Sequence, residues 1–110
     1  QRIYQIKGIL DEEQIVKPVT YSVIKHALIG LTKYLSTYWL GKNIRVNTLC
    51  PGGIFSGQSD AIVEALEYRI PLGRMALEDD YKAAVTFLVS EASSYMNGGT
   101  VIMDGGRSIW

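Results

Sequence analysis

Tyr21 and Lys25 stand four residues apart, a spacing that on a helix puts both side chains on one face, a turn from each other. A free phenol has a pKa of about 10 and exchanges protons poorly at neutral pH. An ammonium group close by favours the phenolate. A tyrosine so placed can pass a proton to or from the oxygen of an alcohol or carbonyl substrate. Alone, the spacing says little, because Tyr and Lys fall four apart at many half-exposed helix starts. Other chemistry-bearing residues are few. His26 is the single histidine and, on a helix, points about 100° away from Lys25, which fits a structural or interfacial role. Cys50 is the only cysteine, so it excludes an internal disulfide and reads as a small buried apolar side chain. The acids Asp11, Glu12, Glu13 and Glu78 to Asp80 are scattered, so no metal site is expected.

The elements that must position this pair follow from the pattern around it. Residues 1–19 carry mixed charge without a clear period and read as a long loop, with a helical turn near Asp11–Val16. Pro18 biases Lys17 away from helix, so a helix is expected just after it, with Thr20 a candidate N-cap. Ile24, Ala27, Leu28, Leu31 and Leu35 recur at helical spacing as far as Leu40, and Gly41 stands ready to close the helix. Ile44 to Leu49 is short and rich in β-branched residues and predicts a buried strand, broken by Pro51-Gly52-Gly53. A second helix is expected from Ser59 or Asp60 to about Tyr68. A third begins at Glu78-Asp79-Asp80, whose acids suit a helix N-terminus, and runs to Val89. A short helical turn lies within Ser90 to Gly99. Thr100 to Met103 forms a second strand closed by the Asp104-Gly105-Gly106 turn. Arg45 and Asn47 read as partners of neighbouring backbone, and Tyr34, Tyr38 and Trp39 as a packing or subunit-interface cluster.

Strands separated by helices imply a parallel sheet. Two strands cannot complete one, and parallel sheets need cover on both faces. The expectation is therefore an α/β chain of 110 residues that forms a single partial domain, about half of a doubly wound, three-layer α/β/α sheet. Apolar residues make up 47%, charged residues 20%, and the formal net charge is +0, the profile of a globular chain. Nothing basic points to nucleic acid or an anionic membrane, no apolar run approaches a membrane span, and the cysteine usage suits a reducing cytoplasm.

Four stretches taken together are specific. Tyr21 to Thr32 resembles the catalytic helix of the short-chain dehydrogenase/reductase family. Ile44-Arg45-Val46-Asn47-Thr48-Leu49-Cys50-Pro51-Gly52 is similar to the strand and Pro-Gly turn that follow it there. Pro71-Leu72-Gly73-Arg74-Met75 with Asp79 to Leu88, and Asn97 to Gly106, resemble the family's next helix and its last strand. They occur in the family's order over about residues 20–106. The resemblance implies a Rossmann-type fold and an oxidoreductase that moves hydride between NAD or NADP and a carbonyl or alcohol substrate. It implies Tyr21 as acid/base and Lys25 as the residue that binds the nicotinamide ribose and tunes Tyr21. It implies Pro51 and Gly52 as the turn beside the nicotinamide, the Ile54 backbone as a carboxamide contact, and Ser56, where the family usually has Thr, as a further cofactor contact. Gly53, Phe55 and Gln58 fall where the family binds substrate. Members usually assemble as homodimers or homotetramers.

The family's Gly-rich dinucleotide turn and its catalytic serine have no counterpart here, and residues 1–19 contain no Ser or Thr. The chain is accordingly expected to be a C-terminal fragment, inactive alone, with the residues that choose NAD or NADP in the other half. The Pro51 to Phe55 turn, the acidic loop before Tyr21 and the Trp110 ending resemble oxidoreductases of bacterial surface-polysaccharide pathways. With the polar residues of 55–70, they favour a sugar or nucleotide-sugar substrate. The competing reading is a non-catalytic degenerate relative or an oligomerisation fragment.

Overall fold

The computed structural model describes residues 18–109. The expected loop 1–19 lies almost wholly outside the described residues, as does Trp110. Among the described residues the order is α1 (Val19–Tyr38), β1 (Thr48–Pro51), α2 (Asp60–Glu67), α3 (Asp79–Val89), a 3₁₀ turn (Glu91–Ser93) and β2 (Thr100–Met103). β1 and β2 pair in parallel, with Thr48 opposite Thr100 and Pro51 opposite Met103. No helix is long and apolar enough to cross a membrane among these residues.

The helices fall close to where periodicity puts them, and the differences lie at their ends. The N-cap of α1 is Pro18, not Thr20, and no side chain caps the helix. Pro18 fixes its own φ and leaves its carbonyl free to accept the Tyr21 N–H at 3.0 Å, so the cap lies two residues before Thr20. α1 stops before Leu40, at Trp39, and Gly41 takes the left-handed conformation at φ 74° that lets the chain reverse.

The first strand is displaced from 44–49 to 48–51. Residues 45–47 lie outside the strand and answer to the loop before β2. The Val46 N–H donates to Asn97 Oδ1 at 2.9 Å, and the Val46 carbonyl accepts from Gly98 at 2.7 Å. Arg45 donates to the carbonyls of Leu88, Ser90 and Met96. Asn47 donates to Met96 and accepts from Gly99. The strand can run on through Pro51 because N–H groups alternate in direction along a strand. Thr48 and Gly52 donate toward the β2 side, to Gly99 and Met103, so the missing donor of Pro51 falls on the opposite edge.

The buried apolar core among the described residues is small: Ile70, Met75 and Tyr81. The apolar stripe of α1 is present as read, but Ile24, Leu28 and Leu31 are 59%, 44% and 48% exposed. A stripe of this kind forms to be covered. Here β1 meets α1 mainly through Thr32, the one buried residue of the helix.

Candidate active site

α1 and the sheet are oriented by two polar contacts. Thr32 Oγ1 donates to the Leu28 carbonyl at 2.9 Å and lies 2.6 Å from Thr48 Oγ1. One hydroxyl carries one proton, so Thr48 donates to Thr32. One turn further along α1, the Ser36 carbonyl accepts from Asn97 Nδ2 at 3.0 Å. The C-terminal part of α1 therefore sits beside the start of both strands, and the helix runs antiparallel to them. Tyr21 lies about 16 Å of helix rise beyond Thr32. Gly52 lies about 13 Å of strand beyond Thr48, in the same direction. Tyr21, Lys25 and the Pro51-Gly52 turn thus stand toward the same end of the molecule, the C-terminal end of the strands. The Lys25 ammonium lies 5.7 Å from the centroid of the Tyr21 ring, so the two side chains do share a face. His26 turns away, with Nδ1 2.8 Å from the Ser22 carbonyl of its own helix.

The turn after β1 is held on three sides. Gly52 donates to the Met103 carbonyl at 2.8 Å. A Cβ on Gly52 would fall 2.8 Å from Asp104 Cα, so only glycine lets the two turns approach this closely. Ile54 forms an isolated parallel bridge with Ala76: the Gly53 carbonyl accepts from Ala76 at 3.0 Å, and Phe55 donates to Ala76 at 2.8 Å. Groups alternate along an extended segment, so the N–H and carbonyl of Ile54 point to the other side. There Gln58 Nε2 takes the Ile54 carbonyl at 3.1 Å and Ser56 Oγ at 3.0 Å, while Gln58 Oε1 accepts the Ser56 N–H at 2.8 Å. The Gln58 carboxamide is spent inside the loop and shapes it. The Phe55 ring is 46% exposed.

The Asp104 turn closes β2. Its Oδ1 accepts the Gly106 N–H at 3.0 Å and its Oδ2 the Ser108 N–H at 2.9 Å. Hydrogen bonding by Ser108 above all, with help from Gly106, holds the Asp104 carboxyl below its ordinary range. Gly105, at φ 67°, fits where a Cβ would meet Ile70 Cγ2. Arg74 and Asp80 form a bidentate pair at 2.7 and 2.8 Å. The Arg74 guanidinium, and next the Leu77 N–H, hold the Asp80 carboxyl well below the usual carboxylate range. No cluster of His, Cys, Asp and Glu suited to a metal ion occurs among the described residues. Cys50 is half-buried in β1.

The predicted site residues thus fall into two groups at one end of the sheet: Tyr21 and Lys25 on α1, and Pro51, Gly52, Gly53, Ile54, Phe55, Ser56 and Gln58 in the turn. Arg74, Asp80 and Asn97 were not singled out from the sequence. Arg74 and Asp80 are six apart across a turn, where no helical or strand period links them, and Asn97 acts through groups some fifty to sixty residues away.

A family model described as enoyl-(acyl carrier protein) reductase matches residues 3–108. The chain belongs to the short-chain dehydrogenase/reductase family. Among family members, it is 34% identical over 112 residues to 2-dehydro-3-deoxy-D-gluconate 5-dehydrogenase of Dickeya dadantii (strain 3937), covering 96% of this chain and 44% of that protein. It is 37% identical to a 3-oxoacyl-[acyl-carrier-protein] reductase of Rickettsia conorii (strain ATCC VR-613 / Malish 7), covering 96% of this chain and 45% of that protein. A crystal structure of a short-chain dehydrogenase from Leptospira borgpetersenii with bound NAD+ superimposes with a TM-score of 0.81 at 36% identity, over 91% of this chain and 41% of that one. The chain therefore spans less than half the length of these short-chain dehydrogenase/reductase relatives. Its helices and parallel sheet are part of their Rossmann-type α/β fold.

Proposed function

We propose that this chain carries the acid/base part of the site of an NAD- or NADP-dependent oxidoreductase acting on a carbonyl or alcohol substrate. The observation that carries the reading is the convergence of the Tyr21–Lys25 face of α1 and the Pro51-to-Phe55 turn on the C-terminal end of a parallel strand. Ligands of open α/β sheets bind at that end. The NAD+ held by the Leptospira protein supports the choice of cofactor. So does the turn itself: Gly52 and Gly53 bring bare backbone to its surface, and Ile54 directs its N–H away from the 75–77 segment, as a carboxamide contact requires.

When bound, the nicotinamide supplies or receives the hydride. Tyr21 gives or takes the proton at the substrate oxygen. Lys25 keeps a positive charge beside the phenol and binds the ribose. Pro51, Gly52, Ile54 and Ser56 line the nicotinamide, and Gln58 fixes the loop by tying Ser56 to Ile54. Gly53 and Phe55 face the substrate. The residues after the turn, Ser56, Ser59, Asp60, Glu64 and Arg69, are polar, which favours a hydroxyl-rich substrate of the sugar or nucleotide-sugar class over a fatty acyl chain. The sugar-acid dehydrogenase among the relatives supports the same preference. The 110 residues turn over no substrate unaided, and the working form is a homodimer or homotetramer in the cytoplasm.

The test is Tyr21→Phe in the full-length protein. Turnover should fall about 10²- to 10⁴-fold, the usual weight of a general acid/base, while cofactor binding is kept. Near-normal turnover would sink the assignment. The exposed apolar face of α1 favours a second reading, a non-catalytic relative that serves as an assembly surface, and wild-type protein that assembles without turnover would establish it.

A further inference from the structure

Segment 74–80 is built around one carboxylate. Asp80 takes both terminal nitrogens of Arg74, and its Oδ2 also takes the Leu77 N–H at 2.8 Å. Arg74 Nη1 donates in addition to the Met75 carbonyl at 3.1 Å. The pair therefore grips the backbone on either side of Ala76, and Ala76 is the residue that pairs with Gly53 and Phe55. The next side chain, buried Tyr81, donates to the Met103 carbonyl at 3.2 Å, the same carbonyl that receives the Gly52 N–H. A cavity of about 210 Å³ lies between these groups, lined by Gly52, Gly53, Arg74, Asp80, Tyr81 and Met103 among others.

We propose that Arg74 and Asp80 are positioning residues that set, through Ala76, the direction in which Ile54 presents its N–H to the nicotinamide carboxamide. The proposal rests on the reading of the turn as a nicotinamide contact. A bidentate guanidinium–carboxylate pair fixes an angle as well as a distance, which a lysine cannot reproduce. The Arg74 and Asp80 side chains are 51% and 33% exposed. An ion pair that open to solvent contributes little to global stability, so its effect falls on the geometry of the loop it grips.

The experiment compares two ligands on the full-length protein: NADH or NADPH, whichever the wild type binds tighter, and ADP-ribose or its 2′-phosphate, which lack the nicotinamide. Binding is read by nucleotide fluorescence and calorimetry, and folding by Tm, for wild type, Arg74→Gln, Arg74→Lys, Asp80→Asn and the Arg74→Gln/Asp80→Asn double variant. Each single variant should bind the reduced dinucleotide about tenfold more weakly, the scale of one lost hydrogen bond, with ADP-ribose affinity and Tm unchanged. The double variant should be no worse than the weaker single, and Arg74→Lys should not restore binding. Unchanged dinucleotide binding in the variants overturns the proposal. Equal loss of both ligands with a lowered Tm overturns it in favour of a folding role. A wild type that binds neither dinucleotide overturns the cofactor reading first, and this one with it.

Discussion

Gly52 shows how a residue without a side chain can decide a site. Its N–H is tied to Met103, and its bare α-carbon lets the Asp104 backbone pass where a methyl would sit 2.8 Å from Cα. Neither neighbour is a flexible side-chain end, so Gly52→Ala must push two turns apart. The expected cost is about 1–3 kcal/mol, the range for overpacking a tight contact, measured as a lowered midpoint in chemical denaturation. Turnover should fall with it, because the displaced strand end leads straight into Gly53 and Ile54. The same logic separates Tyr21 from its neighbours. Tyr21 and Lys25 are on one face because four residues make about one turn, whereas His26, one residue on, is turned back on Ser22 of its own helix.

At the scale of elements, specific polar contacts join α1 to the sheet side. Thr32 and Thr48 share a hydroxyl hydrogen bond, and Asn97 joins Val46 N–H to the Ser36 carbonyl. Replacing Thr32 and Thr48 by Val, singly and together, should give a coupling energy of about 1 kcal/mol in a double-mutant cycle of unfolding free energies. Additive effects would mean that the two hydroxyls act independently. Helix existence and the second strand were legible from sequence because local period and turn residues dictate them. The first strand was misplaced because Ile44 to Leu49 has the composition of a strand, while its pairing is chosen by partners about fifty residues away. The helix cap was misplaced by two residues because Thr20 looks like a cap, and Pro18 already supplies the carbonyl that the first turn needs.

At the scale of the molecule, the Asp104 turn contributes to the response to acid, while the solvent-screened Asp80 pair adds little. Asp80 and Asp104 are both held below their ordinary range in the folded chain, by Arg74 and by Ser108 respectively before any other cause. A carboxylate whose folded pKa is depressed contributes stability above its unfolded value, about 4, and loses it as pH falls through the lower folded value. Stability should therefore hold from neutral pH to about pH 4 and fall below it. The Asp104→Asn variant should show a flatter acid limb in unfolding experiments run from pH 6 to 2, whereas Asp80→Asn, at a solvent-screened pair, should change it little. An unchanged limb would mean that other groups set the acid response. The apolar face of α1 also belongs to this scale. A parallel sheet of two strands, with a helix stripe left about half exposed, is physically incomplete among the described residues.

The sequence by itself determined which residues have side chains suited to the proposed chemistry, the helical face that carries Tyr21 and Lys25, and the order of helices and strands. Those depend on spacing within one element and on local backbone preference. Only the tertiary structure decided that this face and the Pro51-to-Phe55 turn stand at one end of the sheet, and that the turn is gripped by the Arg74–Asp80 clasp. It also decided that Gly52 passes against Asp104. These are contacts between segments far apart in the chain, whose closeness depends on how the strands pair and no local period encodes it. The family's ordered stretches made the fold readable early, and the parallel pairing of Thr48 with Thr100 supplied the geometry that a spacing of four residues could only imply.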